Sequence, residues 1–157
     1  LQQSSAASDV YKRQASWSPS SISYTGNNRT HMIRIPDPGR FELRLMDGSA
    51  NPYLLQASVL AAGINGIKNK IDPGKPLNCN MYEDFAKYPN LPKLPDELDQ
   101  SLKQLKQNKE MNDAFGADVI NSYIKLRSTE IKEFNNIERF DKSKPITKWE
   151  RQNTLDC

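Results

Sequence analysis

The sequence predicts an α+β fold, in which antiparallel strands come first along the chain and helices that cover them follow. Two observations support this prediction. Residues 15–45 contain short segments of β-branched and aromatic residues separated by turn signals, whereas residues 51–140 contain segments with apolar residues at helical spacing. The length of 157 residues suits one domain or a piece of a larger one.

The strands are predicted at residues 21–24, 32–35 and 40–45, with the turn residues Gly26-Asn27-Asn28 and Pro36-Asp37-Pro38-Gly39 between them. The third strand alternates in character, and successive side chains of a strand point to opposite faces of the sheet. Its apolar face is predicted to hold Phe41, Leu43 and Leu45, and its charged face Arg40, Glu42 and Arg44.

The first predicted helix begins after Asn51. The Asn51 side chain can cap the helix, and Pro52 suits its first position. It is expected to run to about Lys70, since lysines suit the negative end of the helix dipole. Its apolar residues lie nearly all round the helix, so we expect it to be buried within a larger body.

The rest of the chain is predicted to be a long connection followed by helices. Residues 72–95 are rich in proline and are expected to be irregular. A second helix is predicted from the repeat of Leu98, Leu102 and Leu105, and a third over residues 117–140 from an apolar stripe on one face. Trp149 is predicted to anchor the final segment by packing.

The first residues of the chain are expected to stand apart from the fold. Residues 1–14 have no apolar periodicity, and the run SSAASDVYKRQ looks like the read-through of a cloning adapter. We therefore predict a disordered, non-native leader at residues 1–14 and assign residues 15–157 to the folded part.

Composition excludes several classes of protein. The net charge of +3, from 22 basic and 19 acidic residues, is too small to indicate nucleic-acid binding. The most apolar stretch, residues 53–67, is interrupted by polar residues and is shorter than the roughly 20 residues of a membrane span. Two cysteines and one histidine are too few for a disulfide framework or a zinc site. We expect no nucleic-acid or membrane partner and a cytoplasmic location.

The residues that point to chemistry lie between positions 26 and 51, where Arg29, Arg34, Arg40 and Arg44 accompany the carboxylate of Glu42. Guanidinium groups match phosphate or carboxylate oxygens, and an ionised carboxylate beside bound phosphates is a natural ligand for Mg²⁺ or Mn²⁺. This combination suits phosphoryl transfer. On spacing alone, the alternative is a solvated strand face with Arg–Glu pairs, which is common on edge strands.

Four motifs in this region resemble, in the same order, the signature of glutamine synthetases: Asn28-Arg29-Thr30, Arg34-Ile35-Pro36, Phe41-Glu42-Leu43-Arg44 and Asn51-Pro52-Tyr53-Leu54. The runs GNNRTHMIRIP and WERQNTLDC look most like the branch called type III glutamate–ammonia ligase, which also resembles γ-glutamylmethylamide synthetases. The resemblance implies that the chain is the C-terminal part of the catalytic domain, in which strands from a larger curved sheet are covered by helices.

The resemblance also implies a role for each site residue. Arg29 and Arg34 match the arginines that hold the phosphates of ATP and the transferred phosphoryl group, and Glu42 matches a ligand of the Mg²⁺ or Mn²⁺ that carries the nucleotide. Arg44 matches an arginine that contacts the γ-phosphoryl group or the reacting carboxyl group of glutamate. His31, the single histidine, is interpreted as a packing or solvent residue and Cys79 as inert.

The implied reaction joins ammonia to the γ-carboxylate of glutamate through γ-glutamyl phosphate, in an intact enzyme that forms a homo-oligomeric ring. Two alternatives stay open. The acceptor amine could be methylamine or a polyamine, or the protein could be a non-catalytic regulatory relative that binds ATP or metal. The motifs for the remaining metal ligands and the ammonium pocket do not occur in these 157 residues, so we expect the chain to be inactive alone.

Overall fold

The computed structural model describes residues 19–46, 50–95, 97–137 and 148–153, and it confirms the predicted α+β class. The predicted leader, residues 1–14, lies outside the described residues. The elements, in chain order, are strands β1 (Tyr24–Thr25), β2 (Ile33–Asp37) and β3 (Arg40–Leu43), helices α1 (Pro52–Lys68) and α2 (Met81–Asp84), a 3₁₀ turn (Phe85–Lys87), and helices α3 (Leu98–Gln107), α4 (Lys109–Phe115), α5 (Ala117–Ile137) and α6 (Lys148–Asn153).

The three strands form one sheet in the order β1-β2-β3. β2 and β3 are antiparallel, as predicted, and place Arg34 directly opposite Glu42. Gly39 closes the turn between them with φ of 79°, the left-handed conformation that glycine adopts at little steric cost after proline in a type II turn. β1 and β2 are parallel, with Tyr24 opposite Ile33, although only residues 26–32 connect them.

The segment predicted as the first strand finds most of its partners in the proline-rich connection. Ser21 forms an isolated antiparallel bridge with Lys93, and the Ile22 N–H donates to the Pro92 carbonyl at 2.9 Å. Only its last residue, Tyr24, belongs to β1. The predicted irregularity of residues 72–95 is confirmed, because this segment contains only the short helical turns of Met81–Lys87 and the bridge at Lys93.

Helix α1 starts as the sequence predicts. The Asn51 side-chain oxygen accepts from the N–H groups of Tyr53 and Leu54 at 3.0 and 3.1 Å, and Pro52 occupies the first turn. The helix ends at Lys68, close to the predicted end. Its apolar side chains are nevertheless exposed among the described residues: Tyr53 by 82%, Leu60 by 65% and Ile67 by 80%. The described part of the chain therefore does not supply the larger body that was expected to bury α1.

The remaining helices pack as a layer in which α3 and α4 contact α5, and α4 contacts α1. The predicted leucine repeat is confirmed, since Leu102 on α3 is 6% exposed and faces a core that includes Ile120 of α5. Helix α5 is confirmed to Ile137, and the end predicted near residue 140 lies outside the described residues. Trp149 meets Phe134 edge to face, with ring centroids 5.6 Å apart, so its anchoring role is confirmed. Among the described helices, none combines the length and apolar character needed to cross a membrane.

Replacing Asn51 with Ala is expected to lower the free energy of unfolding by about 1 kcal/mol, the usual cost of losing an N-cap side chain. Urea titration followed by circular dichroism measures this loss. Asn121→Ala, the same change at an exposed position inside α5, serves as the control and should cost little, because Ala has the higher helix propensity. Equal losses in the two variants would contradict the capping role.

Candidate functional site

The centre of the candidate site is an ion pair across β2 and β3. Arg34 Nη1 lies 2.5 Å from Glu42 Oε2, and the side chains are 12% and 38% exposed, respectively. Asn27 Oδ1 accepts two more bonds from the same guanidinium, from Nε at 2.9 Å and from Nη2 at 2.5 Å. Three of the five donors of Arg34 are thus used by these two partners, which fixes the plane of the guanidinium group.

Two further arginines surround Glu42. Arg40 Nη2 lies 3.3 Å from Glu42 Oε1, and the Arg29 guanidinium is close enough to act on the carboxylate electrostatically. The pKa of Glu42 is lowered, chiefly by the hydrogen bond from Arg34 and further by the positive charges of Arg34, Arg40 and Arg29, while partial desolvation opposes the change. Glu42 is therefore an ionised acceptor at neutral pH, within a cluster of positive charge.

Arg44 takes a different place. Its backbone N–H extends the pairing of β3 by donating to the Met32 carbonyl at 2.9 Å, and its guanidinium hydrogen-bonds to the phenol of Tyr82 on α2. Burial raises the pKa of Tyr82, and the Arg44 charge acts in the opposite direction. The structure thus places Arg34 and the charge of Arg29 next to Glu42. Arg44, in contrast, contacts the proline-rich connection.

The connection between β1 and β2 is held by side chains that sequence reasoning did not assign to the site. Asn28 Oδ1 accepts from the Thr30 N–H and hydroxyl at 2.9 and 2.8 Å, which shapes the turn around Arg29. Asn28 Nδ2 donates to the Cys79 carbonyl at 2.9 Å, and Thr30 Oγ1 accepts from the Met81 N–H at 3.0 Å. The only local signal for these contacts was the Gly26-Asn27-Asn28 turn sequence.

His31 is completely buried, with 0% exposure, which supports the packing interpretation. Its Nδ1 lies 3.1 Å from Ser23 Oγ, and its Nε2 lies 3.0 Å from the Cys79 carbonyl oxygen. A carbonyl oxygen can only accept, so Nε2 carries a proton and donates to Cys79, while Nδ1 hydrogen-bonds with the Ser23 hydroxyl. His31 therefore joins the strand region to the proline-rich connection rather than presenting a face to a ligand.

The described residues provide only part of a metal site. None of their histidine, cysteine, aspartate and glutamate side chains form a group of three or more that could hold a metal ion. A metal bound by Glu42 would therefore need additional ligands from a bound phosphate or from residues beyond the described ones. A single ionised carboxylate surrounded by arginines is compatible with that arrangement.

Comparison with known proteins identifies the family to which the chain belongs. The family model described as "Glutamine synthetase, catalytic domain" matches residues 4–153. The chain belongs to the glutamine synthetase family. The resemblance drawn from the four sequence motifs is thereby confirmed. The matched range begins inside the predicted leader, residues 1–14, whose non-native character stays a prediction.

Similar proteins include both glutamine synthetases and an amine-specific ligase. The glutamine synthetase of Rhizobium meliloti (strain 1021) is 44% identical over 142 residues, covering 90% of this chain and 31% of the relative. The glutamate–methylamine ligase of Methyloversatilis universalis is 56% identical over 69 residues, covering 44% of this chain and 15% of the relative. The chain thus spans about a third or less of the length of these glutamine synthetase family members.

Solved structures of the family share the fold described above. A structure of the "GmaS/ADP complex-Conformation 1" superimposes with a TM-score of 0.72 at 42% identity, covering 90% of this chain and 30% of that one. A structure of "Apo GmaS without ligand" gives a TM-score of 0.71 at 40% identity, covering 98% of this chain and 35% of that one. The described elements therefore belong to a part of the glutamine synthetase catalytic domain.

Replacing Arg34 with Met is expected to raise the pKa of Glu42 toward its ordinary value of 4.5, because the largest lowering contribution is removed. The folded-state pKa lies below the unfolded one, so the pair stabilises the fold above about pH 4.5 and loses this effect as the pH falls through the lowered pKa. A ¹³C NMR titration of the Glu42 carboxyl measures the change. Arg127→Met, which removes the partner of Glu130 on α5, is the control and should leave the Glu42 titration unchanged.

Proposed function

We propose that the longer enzyme represented by this chain ligates an amine, ammonia in the first instance, to the γ-carboxylate of glutamate at the expense of ATP. The reaction proceeds through γ-glutamyl phosphate, from which the amine displaces the phosphate. The Arg34–Glu42 pair is the observation that carries the proposal, because these two residues match the family motifs and are in contact, and the nearby charge of Arg29 acts on Glu42.

The arginines account for phosphate binding. The Arg34 plane is fixed by Asn27 and Glu42, and two of its five donors are not used by those partners. A guanidinium group held in this way can bind phosphate oxygens without further loss of side-chain freedom. Arg29 lies at an exposed position of the adjoining turn and adds a second positive charge. One solved relative is an ADP complex, which supports nucleotide binding by the longer enzyme.

Glu42 accounts for one ligand of Mg²⁺ or Mn²⁺. Metal ligands must be deprotonated, and the arginines keep Glu42 ionised. When bound, the metal would neutralise negative charge on the phosphates during transfer. The remaining ligands, the amine pocket and the glutamate site would come from the rest of the catalytic domain, and we expect a homo-oligomeric ring in the cytoplasm, as the family resemblance implies.

Ligation of methylamine is the second candidate. The 56% identity to a glutamate–methylamine ligase and the similarity to GmaS structures favour it as specific observations. A polyamine acceptor would use the same phosphoryl-transfer residues. In the regulatory alternative, the arginines would bind ATP without transfer of its γ-phosphoryl group.

In the intact enzyme, Glu42→Ala is expected to slow the formation of γ-glutamyl phosphate by roughly 10²–10³-fold, the usual effect of removing one positioned electrostatic group. Arg44→Lys should also slow the reaction, because Lys keeps the charge but loses the planar fork of donors. Glu130→Ala is a matched control, because it also removes a glutamate that pairs with an arginine. That pair, with Arg127 at 2.6 Å, lies on α5 rather than on the strands.

The assay follows γ-glutamyl phosphate and amide product with ammonia and methylamine supplied in parallel. Faster turnover with methylamine would select the second candidate. A wild-type enzyme that binds ATP and forms no γ-glutamyl phosphate would support the regulatory alternative. Wild-type rates in both Glu42→Ala and Arg44→Lys would mean that the charged strand is only a solvated face.

A further inference from the structure

We infer that His31 is a positioning residue for the phosphate-binding turn: it attaches the turn that carries Arg29 to the backbone of the proline-rich connection at Cys79. This inference rests on the proposed function, since it assigns Arg29 the phosphate. His31 would thus affect substrate binding through Arg29, without contacting the substrate itself.

The need for such an attachment follows from topology. β1 and β2 are parallel, and parallel strands are ordinarily joined by a crossover of about a dozen residues or more. Here residues 26–32 alone make the connection. A connection this short has no covering helix, so its conformation depends on contacts from another part of the chain.

Those contacts converge on one short backbone segment. The Cys79 carbonyl accepts from both Asn28 Nδ2 at 2.9 Å and His31 Nε2 at 3.0 Å, and the Met81 N–H donates to Thr30 Oγ1 at 3.0 Å. Arg29 lies between these anchored residues in sequence. Its backbone is thus fixed on both sides while its side chain stays exposed beside Glu42.

His31 is the most deeply buried of these anchors. It is fully buried, and both ring nitrogens are used, since Nδ1 hydrogen-bonds with Ser23 and Nε2 donates to the Cys79 carbonyl. Loss of the ring donor would leave the Cys79 carbonyl with Asn28 alone and would open space behind the turn. The turn would then shift, and this shift would move Arg29, two residues away, and weaken its binding of phosphate.

The experiment compares His31→Gln with His31→Asn in the intact enzyme. The Gln amide nitrogen extends about as far as Nε2 and can still donate to Cys79, whereas the shorter Asn amide reaches only about as far as Nδ1. His31→Asn should raise the KM for ATP by roughly three- to tenfold, the size expected for one lost intramolecular hydrogen bond, with a smaller effect on kcat. His31→Gln should restore the KM to near the wild-type value.

Two further variants separate positioning from stability. Thr30→Val removes the acceptor for the Met81 N–H with little change of shape, and it should raise the KM for ATP in the same way even if His31→Asn folds poorly. Leu102→Ala creates a cavity in the helical layer and should lower stability while leaving the KM unchanged. Amide hydrogen exchange at residues 79–82 should speed up in His31→Asn and Thr30→Val alone.

The outcomes are distinguishable. Faster exchange at residues 79–82 together with a raised KM, and recovery in His31→Gln, supports the inference. Faster exchange with an unchanged KM for ATP in both His31→Asn and Thr30→Val would overturn the positioning role while leaving the proposed function intact. Wild-type protein that neither binds ATP nor ligates an amine would refute the proposed function itself, and the positioning role with it.

Discussion

The short parallel connection between β1 and β2 is the constraint on which the site depends. Residues 26–32 must leave one strand and enter its parallel neighbour without the helix that usually makes such a crossover. The turn can keep this conformation only if its polar groups find partners, and they find them in Asn28 itself and in the backbone of residues 79–81. Because Arg29 lies within this connection and Arg34 follows directly after it, both arginines take their positions from the same constraint.

The elements that the sequence predicted well are those whose signals are local. Asn51 and Pro52 form a helix start that requires no distant partner, and the leucines of α3 repeat at the helical period. The turn at Pro38-Gly39 was also within reach, but it does not by itself set the pairing of Arg34 with Glu42. With Asp37 opposite Arg40, a regular hairpin would place Arg34 opposite Leu43, and an irregularity between Arg34 and Asp37 shifts the register so that Arg34 faces Glu42. The contacts of the proline-rich connection could not be predicted, because the whole sheet and two helices lie between Ser21 and Lys93 in the sequence. Nothing in the neighbouring residues marks such a bridge.

The burial of the molecule is uneven, and this has a physical consequence for the site. The buried apolar side chains of the described residues are Met81, Leu94, Leu102 and Ile120, whereas the buried polar ones include Ser21, Ser23, Thr25 and His31. The sheet end of the described fold is thus organised by hydrogen bonds more than by apolar packing, while α1 leaves large apolar side chains exposed. Hydrogen bonds fix direction, and apolar contacts do not. A site that must orient guanidinium groups benefits from directional hydrogen bonds. Helix α1, in contrast, has the apolar surface of a helix that packs inside a larger body, and this chain spans about 30% of the length of a solved relative.

The two partners of Arg34 have different roles in the proposed reaction. Glu42 neutralises the guanidinium charge, and a buried arginine would be costly without it, since the Arg34 side chain is only 12% exposed. If Glu42 bound a metal, this pairing would weaken when the positive ion took its place. Asn27 would still hold Nε and Nη2 through its side-chain oxygen, which is neutral and does not compete for the metal as strongly as a carboxylate. The phosphates that arrive with the metal would then supply the negative charge that Arg34 had lost. Under the proposed function, the cluster would therefore exchange its internal ion pair for pairs with metal and substrate, while Asn27 would preserve the orientation of Arg34.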